Sequence, residues 1–106
     1  MAREITQSEF ATLHAAGGLV LDVRQPVEYV AGHVPGALLV PLAQLPRRYH
    51  ELPADRPVAV ICATGNRSLV AADFLTAQGV EAVSVAGGTS AWQRAGRPVV
   101  SGAAVA

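Results

Sequence analysis

The sequence has few of the features that mark secreted, metal-binding or nucleic-acid-binding proteins. It contains a single cysteine, Cys62, so it can form no internal disulfide and no zinc site built from several cysteines. It contains no lysine, and its eight arginines balance eight acidic residues. Only Arg47 and Arg48 are adjacent, so no basic patch predicts binding to nucleic acid or to a membrane surface.

Long apolar segments are also missing. No run approaches the ~20 residues that a membrane-spanning helix needs, and the charged residues near the N-terminus are not followed by the apolar core of a signal peptide. These absences favour a reducing, cytoplasmic setting. A composition of 51% hydrophobic and 15% charged residues excludes disorder as the overall state. We expect one domain over residues 1–100 and a flexible tail over residues 101–106.

Short apolar segments alternate with helical patterns along the chain. Strands are predicted at residues 19–23, 37–40, 58–61 and 81–85. Helices are predicted from the Thr6 cap to Ala16, at 26–29, as one or two turns within 42–52 interrupted by Pro46, at 67–78, and as a short helix capped by Thr89 or Ser90. This alternation predicts a three-layer α/β domain with a mainly parallel sheet.

Two of these helices carry specific signals. Thr6 and Glu9 have the spacing of a capping box, in which each side chain accepts a hydrogen bond from the other residue's backbone N–H. In the helix over 67–78, Val70, Phe74 and Ala77 recur at helical spacing, with Ala71 and Leu75 beside them. That pattern predicts that this side of the helix packs on the sheet.

Cys62 opens the segment CATGNRS, residues 62–68, between a predicted buried strand and a predicted helix. Backbone N–H groups in such a loop converge on one point, and the helix N-terminus adds partial positive charge there. Gly65 permits the positive φ that the loop needs, and Arg67 supplies a permanent cation. This environment lowers a cysteine pKa, so Cys62 is a candidate nucleophile. The alternative is that Cys62 is a small buried apolar side chain.

Several separated motifs resemble those of the rhodanese-like single-domain sulfurtransferases. They are LDVR at 21–24, Pro26, Glu28-Tyr29, GHVPGA at 32–37, CATGNRS at 62–68, Gly87-Gly88 and Trp92. The resemblance implies a five-stranded sheet of order 3-2-4-5-1 flanked by helices. It also implies that Cys62 takes a sulfane sulfur from a donor such as thiosulfate or a small persulfide, and passes it to a thiol or cyanide without a metal or cofactor.

The resemblance also implies which residues bind the sulfur donor. They are Ala63, Thr64, Gly65, Asn66, Arg67 and Ser68. The loop N–H groups would stabilise the persulfide anion, while the Thr64 and Asn66 side chains would contact the donor. The loop holds one arginine and no lysine, so the sequence leaves the identity of the donor open. A protein thiol is a further candidate acceptor, and the sequence leaves the oligomeric state open.

Polar residues near the predicted strand ends have two interpretations. Asp22 could orient the amides of the loop, or it could be a structural hydrogen-bond acceptor. Arg24 and Glu28 are four residues apart, which predicts an ion pair across a helix start, although Arg24 is also a candidate for supporting the loop.

The remaining aromatic and histidine side chains are predicted to be structural. His33 has no acid–base partner nearby in the sequence, so it is interpreted as a packing residue. Trp92 is interpreted as part of the core, and His14 and His50 as surface residues.

Two other functions stay open. Cysteine-dependent phosphatases and arsenate reductases also place a cysteine loop around an anion, but that chemistry is associated with five residues between Cys and Arg, whereas Cys62 and Arg67 enclose four. A non-catalytic module that uses the same fold to bind a partner is the third hypothesis. The shorter loop closes a narrower cradle, which favours a terminal sulfur over a tetrahedral anion, and the intact loop around Cys62 favours sulfur transfer over a non-catalytic module.

Overall fold

The computed structural model describes residues 3–105. Its strands are β1 (Arg3–Ile5), β2 (Leu19–Asp22), β3 (Leu38–Leu39), β4 (Val58–Ile61) and β5 (Ala82–Val85). Its α-helices are α1 (Gln7–Ala15), α2 (Pro26–Ala31), α3 (Leu45–Arg48), α4 (Asn66–Ala77) and α5 (Gly88–Arg94). Single 3-10 turns, Leu42–Gln44 and Tyr49–Glu51, flank α3.

The five strands form one parallel sheet with the order β1-β5-β4-β2-β3. Read from the other edge, this is the order 3-2-4-5-1, so the expected fold is confirmed. The residue pattern did not predict β1, because it is only three residues long and buries one apolar side chain, Ile5. Its pairing with β5 completes the sheet on that side.

Apolar side chains cover both faces of the sheet, which gives the predicted three layers. On one face α3 and α4 bury Leu45, Ala71 and Leu75 against the strands. On the other face α1, α2 and α5 contribute Phe10, Tyr29 and Trp92 to a second cluster. The central strand β4 is buried along its whole length, as expected for a strand covered by helices on both sides.

The predicted capping box is present at the start of α1. Thr6 Oγ1 accepts from the Glu9 N–H at 3.0 Å, and Glu9 Oε1 accepts from the Thr6 N–H at 2.9 Å. Farther along the chain, Pro46 lies in the first turn of α3, where its missing N–H removes no helical hydrogen bond. Pro46 is therefore compatible with α3, which begins at Leu45 directly after the 3-10 turn.

The predicted packing face of α4 is wrong in part. Val70 is 59% exposed, and Ala77 is exposed as well. Ala71 and Leu75, predicted beside them, are buried as expected, and Ser68 and Ala72 complete the buried side of α4. Small residues there let the helix lie close to the sheet, and they place a buried serine directly behind the Cys62 loop.

The C-terminal segment returns to the body of the domain. His33 and Val100 form an isolated antiparallel bridge. The Gly102 N–H then donates to Val30 O at 2.8 Å, and Val105 O accepts from the Gly36 N–H. The predicted tail thus contacts the domain through its backbone up to residue 105, while residue 106 lies outside the described part.

Candidate active site

Cys62 lies at the carboxyl end of β4, the central strand of the sheet. The loop after it runs through residues 63–65 and leads into α4, whose first residue is Asn66. Cys62 is only 1% exposed and is packed among the apolar residues beneath α4. The residue is therefore buried, and it also follows a strand at a loop that collects hydrogen-bond donors. Its role as a nucleophile stays a prediction.

Two backbone N–H groups donate to the Cys62 sulfur, and the thiol itself donates to the Ser68 hydroxyl. The Gly65 N–H lies 3.1 Å from Sγ, the Ser68 N–H lies 3.3 Å from it, and Ser68 Oγ lies 3.4 Å from it. Gly65 has φ +111°, in the left-handed region, so the chain can curl around the sulfur at this position. The loop therefore presents backbone dipoles to the sulfur, as the strand–loop–helix pattern predicts.

These donors set the ionisation of Cys62. Burial raises its pKa, because a buried thiolate loses hydration. The Ser68 hydroxyl and the N–H groups of Ser68, Gly65 and Thr64 act in the opposite direction, since they stabilise the anion. Together they outweigh burial, so the pKa of Cys62 is lowered from its ordinary value of 9.0.

The first turn of α5 fixes the carbonyl side of the same loop. The Thr89 N–H and hydroxyl both donate to Cys62 O, at 2.8 and 3.1 Å. The Ser90 N–H donates to Ala63 O at 3.0 Å. Because these carbonyls are held by α5, the following N–H groups are free to face the sulfur.

Glycine is required where α5 meets the loop. A Cβ on Gly88 would lie 2.4 Å from Cys62 O and 2.6 Å from Ala63 O, and its φ is +59°. The residue that precedes α5 is Gly87, so the prediction that Thr89 or Ser90 caps this helix is wrong. The Thr89 hydroxyl instead binds the Cys62 carbonyl.

Two side chains of the loop lie at the surface above the sulfur. Thr64 and Asn66 are both exposed, and Ala63 is half-buried. Cys62 itself is buried, so these side chains are the accessible part of the loop. Their role in contacting a donor stays a prediction.

Arg67 points toward α2 rather than toward the sulfur. Its Nη1 and Nη2 donate to the two carboxylate oxygens of Glu28, at 2.8 and 2.9 Å. No hydrogen bond joins Arg67 to Cys62 within residues 3–105. Both side chains of the pair are about one-third exposed, at 36% for Arg67 and 32% for Glu28. The loop cation is therefore largely neutralised.

The ionisation of Glu28 follows from this contact. Hydrogen bonds from Arg67 lower its pKa from 4.5 to about 2, against the opposing effect of burial. The Gln25 N–H donates to the same carboxylate at 2.9 Å and assists. In turn, the contact with Glu28 raises the pKa of Arg67. The two charges are thus maintained together across the neutral range.

The predicted ion pair between Arg24 and Glu28 is wrong. Arg24 instead pairs with Asp22. Arg24 Nη2 donates to Asp22 Oδ2 at 2.8 Å and also donates to Gly32 O. Asp22 Oδ1 accepts from the Arg24 N–H and Nε. These contacts favour the structural interpretation of Asp22, because its carboxylate is occupied by Arg24 and fixes the chain where β2 ends.

The aromatic and histidine side chains fall mostly in the core. His33 is fully buried, stacks on Tyr29 at 3.6 Å between ring centroids, and has Nδ1 at 2.9 Å from Tyr29 O. Trp92 is 2% exposed and its Nε1 donates to Pro98 O. His50 is exposed.

The surface prediction for His14 is wrong. Its ring is partly buried, lies 5.2 Å from the Trp92 ring, and has Nε2 at 2.8 Å from Pro35 O.

Ser84 was not selected from the sequence, yet the fold brings it to the site. Its hydroxyl lies 2.8 Å from Ser68 Oγ, and the residue is fully buried on β5. A polar residue at the buried centre of the otherwise apolar strand AVSV was the signal available in the sequence.

Two absences hold for the described residues. No three histidine, cysteine or carboxylate side chains come together there as ligands for a metal ion. None of the helices there is both long enough and apolar enough to cross a membrane.

Comparison with known proteins agrees with the fold. The model of the rhodanese-like domain family matches residues 6–95. A sulfurtransferase of Allochromatium vinosum is 40% identical over 84 residues, 78% of either chain. The rhodanese-related protein of Thermoplasma volcanium superposes with a TM-score of 0.87 at 38% identity, over 92% of this chain and 97% of that one.

A further relative is a longer protein. An HTH-type transcriptional regulator of Mycobacterium tuberculosis is 38% identical over 105 residues, 95% of this chain. The chain spans 46% of the length of that regulator.

Proposed function

The chain belongs to the rhodanese-like domain family, and from that premise we propose that it is a sulfurtransferase in which Cys62 carries the transferred sulfur as a persulfide. Its relatives include a protein named as a sulfurtransferase. The observation that carries the proposal is the position of the Cys62 sulfur, within 3.1–3.4 Å of two N–H groups and one hydroxyl.

In the first half-reaction, the Cys62 thiolate attacks the terminal sulfur of the donor. A bond forms between Sγ and that sulfur, while the sulfur–sulfur bond within the donor breaks. With thiosulfate, the bonding pair leaves on sulfite and Cys62 becomes a persulfide. The lowered pKa of Cys62 supports this step, because more of the thiol is ionised at neutral pH.

In the second half-reaction, a nucleophile attacks the outer sulfur. A thiolate acceptor becomes a persulfide, cyanide becomes thiocyanate, and the Cys62 thiolate leaves with the bonding pair. A low pKa makes a thiol a better leaving group, so the donors from Gly65 and Ser68 assist both half-reactions. No redox partner is required, since the sulfur atom moves between two nucleophiles.

The burial of Cys62 supports a small sulfur donor. With 1% exposure, the sulfur suits attack on a terminal sulfur atom, which thiosulfate and small persulfides both present. We therefore propose one of these as the donor, in a reducing setting such as the cytoplasm.

Intact-mass spectrometry tests the proposal directly. The reduced protein is incubated with glutathione persulfide, thiosulfate or mercaptopyruvate, and its mass is measured before and after addition of cyanide. We expect a gain of one sulfur atom that cyanide removes, and no gain in protein first alkylated at Cys62. An unchanged mass with every donor would contradict sulfur transfer.

Phosphatase chemistry is the first alternative, and it predicts hydrolysis of p-nitrophenyl phosphate. We expect none, because the loop is one residue shorter than that chemistry uses and directs few N–H groups toward one sulfur. Turnover of this substrate by the unmodified protein would replace the functional proposal and leave the fold unaffected.

A non-catalytic binding module is the second alternative. The resemblance to a transcriptional regulator over 95% of this chain favours it, because such a domain could serve a larger regulatory protein. A persulfide that forms and is not released to cyanide or thiols would favour this alternative, whereas repeated turnover would contradict it.

A further inference from the structure

The Cys62 sulfur lies at one end of a chain of three side chains that reaches outside its own loop. Ser68 Oγ lies 3.4 Å from Sγ, and Ser84 Oγ lies 2.8 Å from Ser68 Oγ. Ser84 pairs with Val60 in the parallel register of β4 and β5, so it shares the face of the sheet that α4 covers. Both serines are fully buried, so neither hydroxyl contacts bulk solvent.

The single proton of the Ser68 hydroxyl has three neighbours. Besides the sulfur and Ser84, the carbonyl of Gly65 lies 3.1 Å from Ser68 Oγ and can only accept. When the sulfur is a thiol, S–H can donate to Ser68 Oγ while the serine donates to Gly65 O. When the sulfur carries negative charge it can only accept, so Ser68 has to turn its proton from the carbonyl to the sulfur.

This change of partner costs little at the carbonyl. Gly65 O also accepts from the Leu69 N–H at 3.4 Å, so it keeps one donor after Ser68 turns away. When the sulfur is an anion, a donor to Ser68 Oγ would strengthen the hydrogen bond from Ser68 to the sulfur, because a hydroxyl that accepts a hydrogen bond becomes a stronger donor itself.

Ser84 is placed to be that donor. Within residues 3–105 its hydroxyl hydrogen-bonds only to Ser68. We propose that Ser84 is a positioning residue, whose hydroxyl donates to Ser68 Oγ and directs the Ser68 proton to the Cys62 sulfur whenever that sulfur is an anion. The inference deepens the proposed function, in which the sulfur is an anion before attack and again when it leaves.

Two ion pairs near the sulfur could also affect the ionisation of Cys62. Arg67 of α4 with Glu28 of α2, and Asp22 with Arg24 at the end of β2, lie at the same end of the sheet. Because variants of Ser68 and Ser84 keep all four charged side chains, the effects of these charges on Cys62 cancel when the variants are compared.

The test is a double-mutant cycle on the reactivity of Cys62. The unmodified protein, Ser84→Ala, Ser68→Ala and the double variant are alkylated with iodoacetamide from pH 5 to 10, and the rate is followed by intact mass. We expect Ser68→Ala to raise the apparent pKa of Cys62 and to slow alkylation about tenfold below that pKa. Ser84→Ala should act in the same direction by about threefold.

Comparing the single variants with the double variant shows whether Ser84 acts through Ser68. If Ser84 acts through Ser68, Ser84→Ala should change nothing further once Ser68 is alanine. Ser84→Thr keeps the hydroxyl and should retain the unmodified pH profile, whereas Ser84→Val has the same shape without the hydroxyl and should match Ser84→Ala. The Thr and Val variants give the same comparison if the alanine variant does not fold.

Two results would overturn the inference. One is an unchanged pH profile in folded Ser84→Ala or Ser84→Val, and the other is an equal shift in the presence and absence of the Ser68 hydroxyl. Alkylation needs no sulfur donor, so this outcome is independent of the persulfide measurement that tests the proposed function.

Discussion

The inner side of the Cys62 sulfur and the outer rim of its loop stabilise anions by different means. On the inner side, Gly65, Ser68 and Ser84 are buried and supply neutral dipoles at short range. At the rim, Arg67 and Glu28 are about one-third exposed and supply full charges that largely neutralise each other. Uncharged donors, rather than the arginine, therefore provide most of the stabilisation of the thiolate.

The physical reason is the difference in surroundings. A dipole that is fixed and shielded from water keeps its strength, and it needs no reorganisation when charge appears on the sulfur. An exposed charge is weakened by water and salt, and Arg67 is already committed to a carboxylate. Variants of the inner side should accordingly change the ionisation of Cys62, whereas variants of the rim should change the affinity for charged donors and respond to salt.

The largest effect is expected at the sulfur itself. Cys62→Ser keeps the size of the side chain, but a serine hydroxyl is not ionised near neutral pH and cannot act as the sulfur carrier. Thiocyanate formation from thiosulfate or glutathione persulfide should fall to the uncatalysed background. Circular dichroism of the same sample checks the fold, and activity persisting in the folded variant would contradict the assignment of Cys62.

Next in size is Gly88→Ala, which tests whether α5 holds the loop. The added Cβ would lie 2.4 Å from Cys62 O at φ +59°, so we expect a loss of unfolding free energy of about 3 kcal/mol or more. Gly96→Ala is the matched control at the other end of α5, since it has φ +77° and no atom within 4 Å of the added Cβ. It should lose only the ~1 kcal/mol of backbone strain. Urea unfolding measures both, and equal losses would show that close approach at Gly88 is unimportant.

The rim should respond to charge in two opposite directions. Arg67→Ala leaves Glu28 unpaired, so kcat/KM for anionic thiosulfate should fall about three- to tenfold. Glu28→Gln leaves Arg67 unpaired, so the same quantity should rise about twofold. Both changes in kcat/KM should become smaller in about 0.5 M salt, because salt screens the charges of the pair. Effects of the same sign, or insensitive to salt, would mean that the pair acts through loop structure.

The smallest effect concerns the pH dependence of stability. The pKa of Glu28 is about 2 in the folded protein against 4.5 ordinarily, so its contribution is fully present above about pH 5 and is lost as pH falls toward 2. Because the pair is partly exposed, Glu28→Gln should cost ~1 kcal/mol or less at pH 7. This difference between the two proteins should narrow at pH 3 in urea unfolding, and a constant difference would contradict the ionic contribution.

Local patterns predicted the parts of the molecule that depend on nearby residues. The capping box of Thr6 and Glu9, the positive φ of Gly65 and the place of Cys62 between a strand and a helix each follow from a few consecutive residues. The packing face of α4 was harder, since Val70 has the spacing of a core residue but faces solvent. Small side chains on the other side of α4 let the helix lie close to the sheet, and sequence spacing does not reveal that.

By itself, the sequence determined the order of elements from α1 onward, the loop around the single cysteine and the resemblance to the family, because these depend on residue type and spacing along the chain. Only the tertiary structure decided the partners. Glu28 binds Arg67, 39 residues away, rather than Arg24, and Ser84 joins Ser68 from a neighbouring strand. These choices depend on which strand ends and helix faces meet in the parallel sheet, and a side chain takes the partner within reach there.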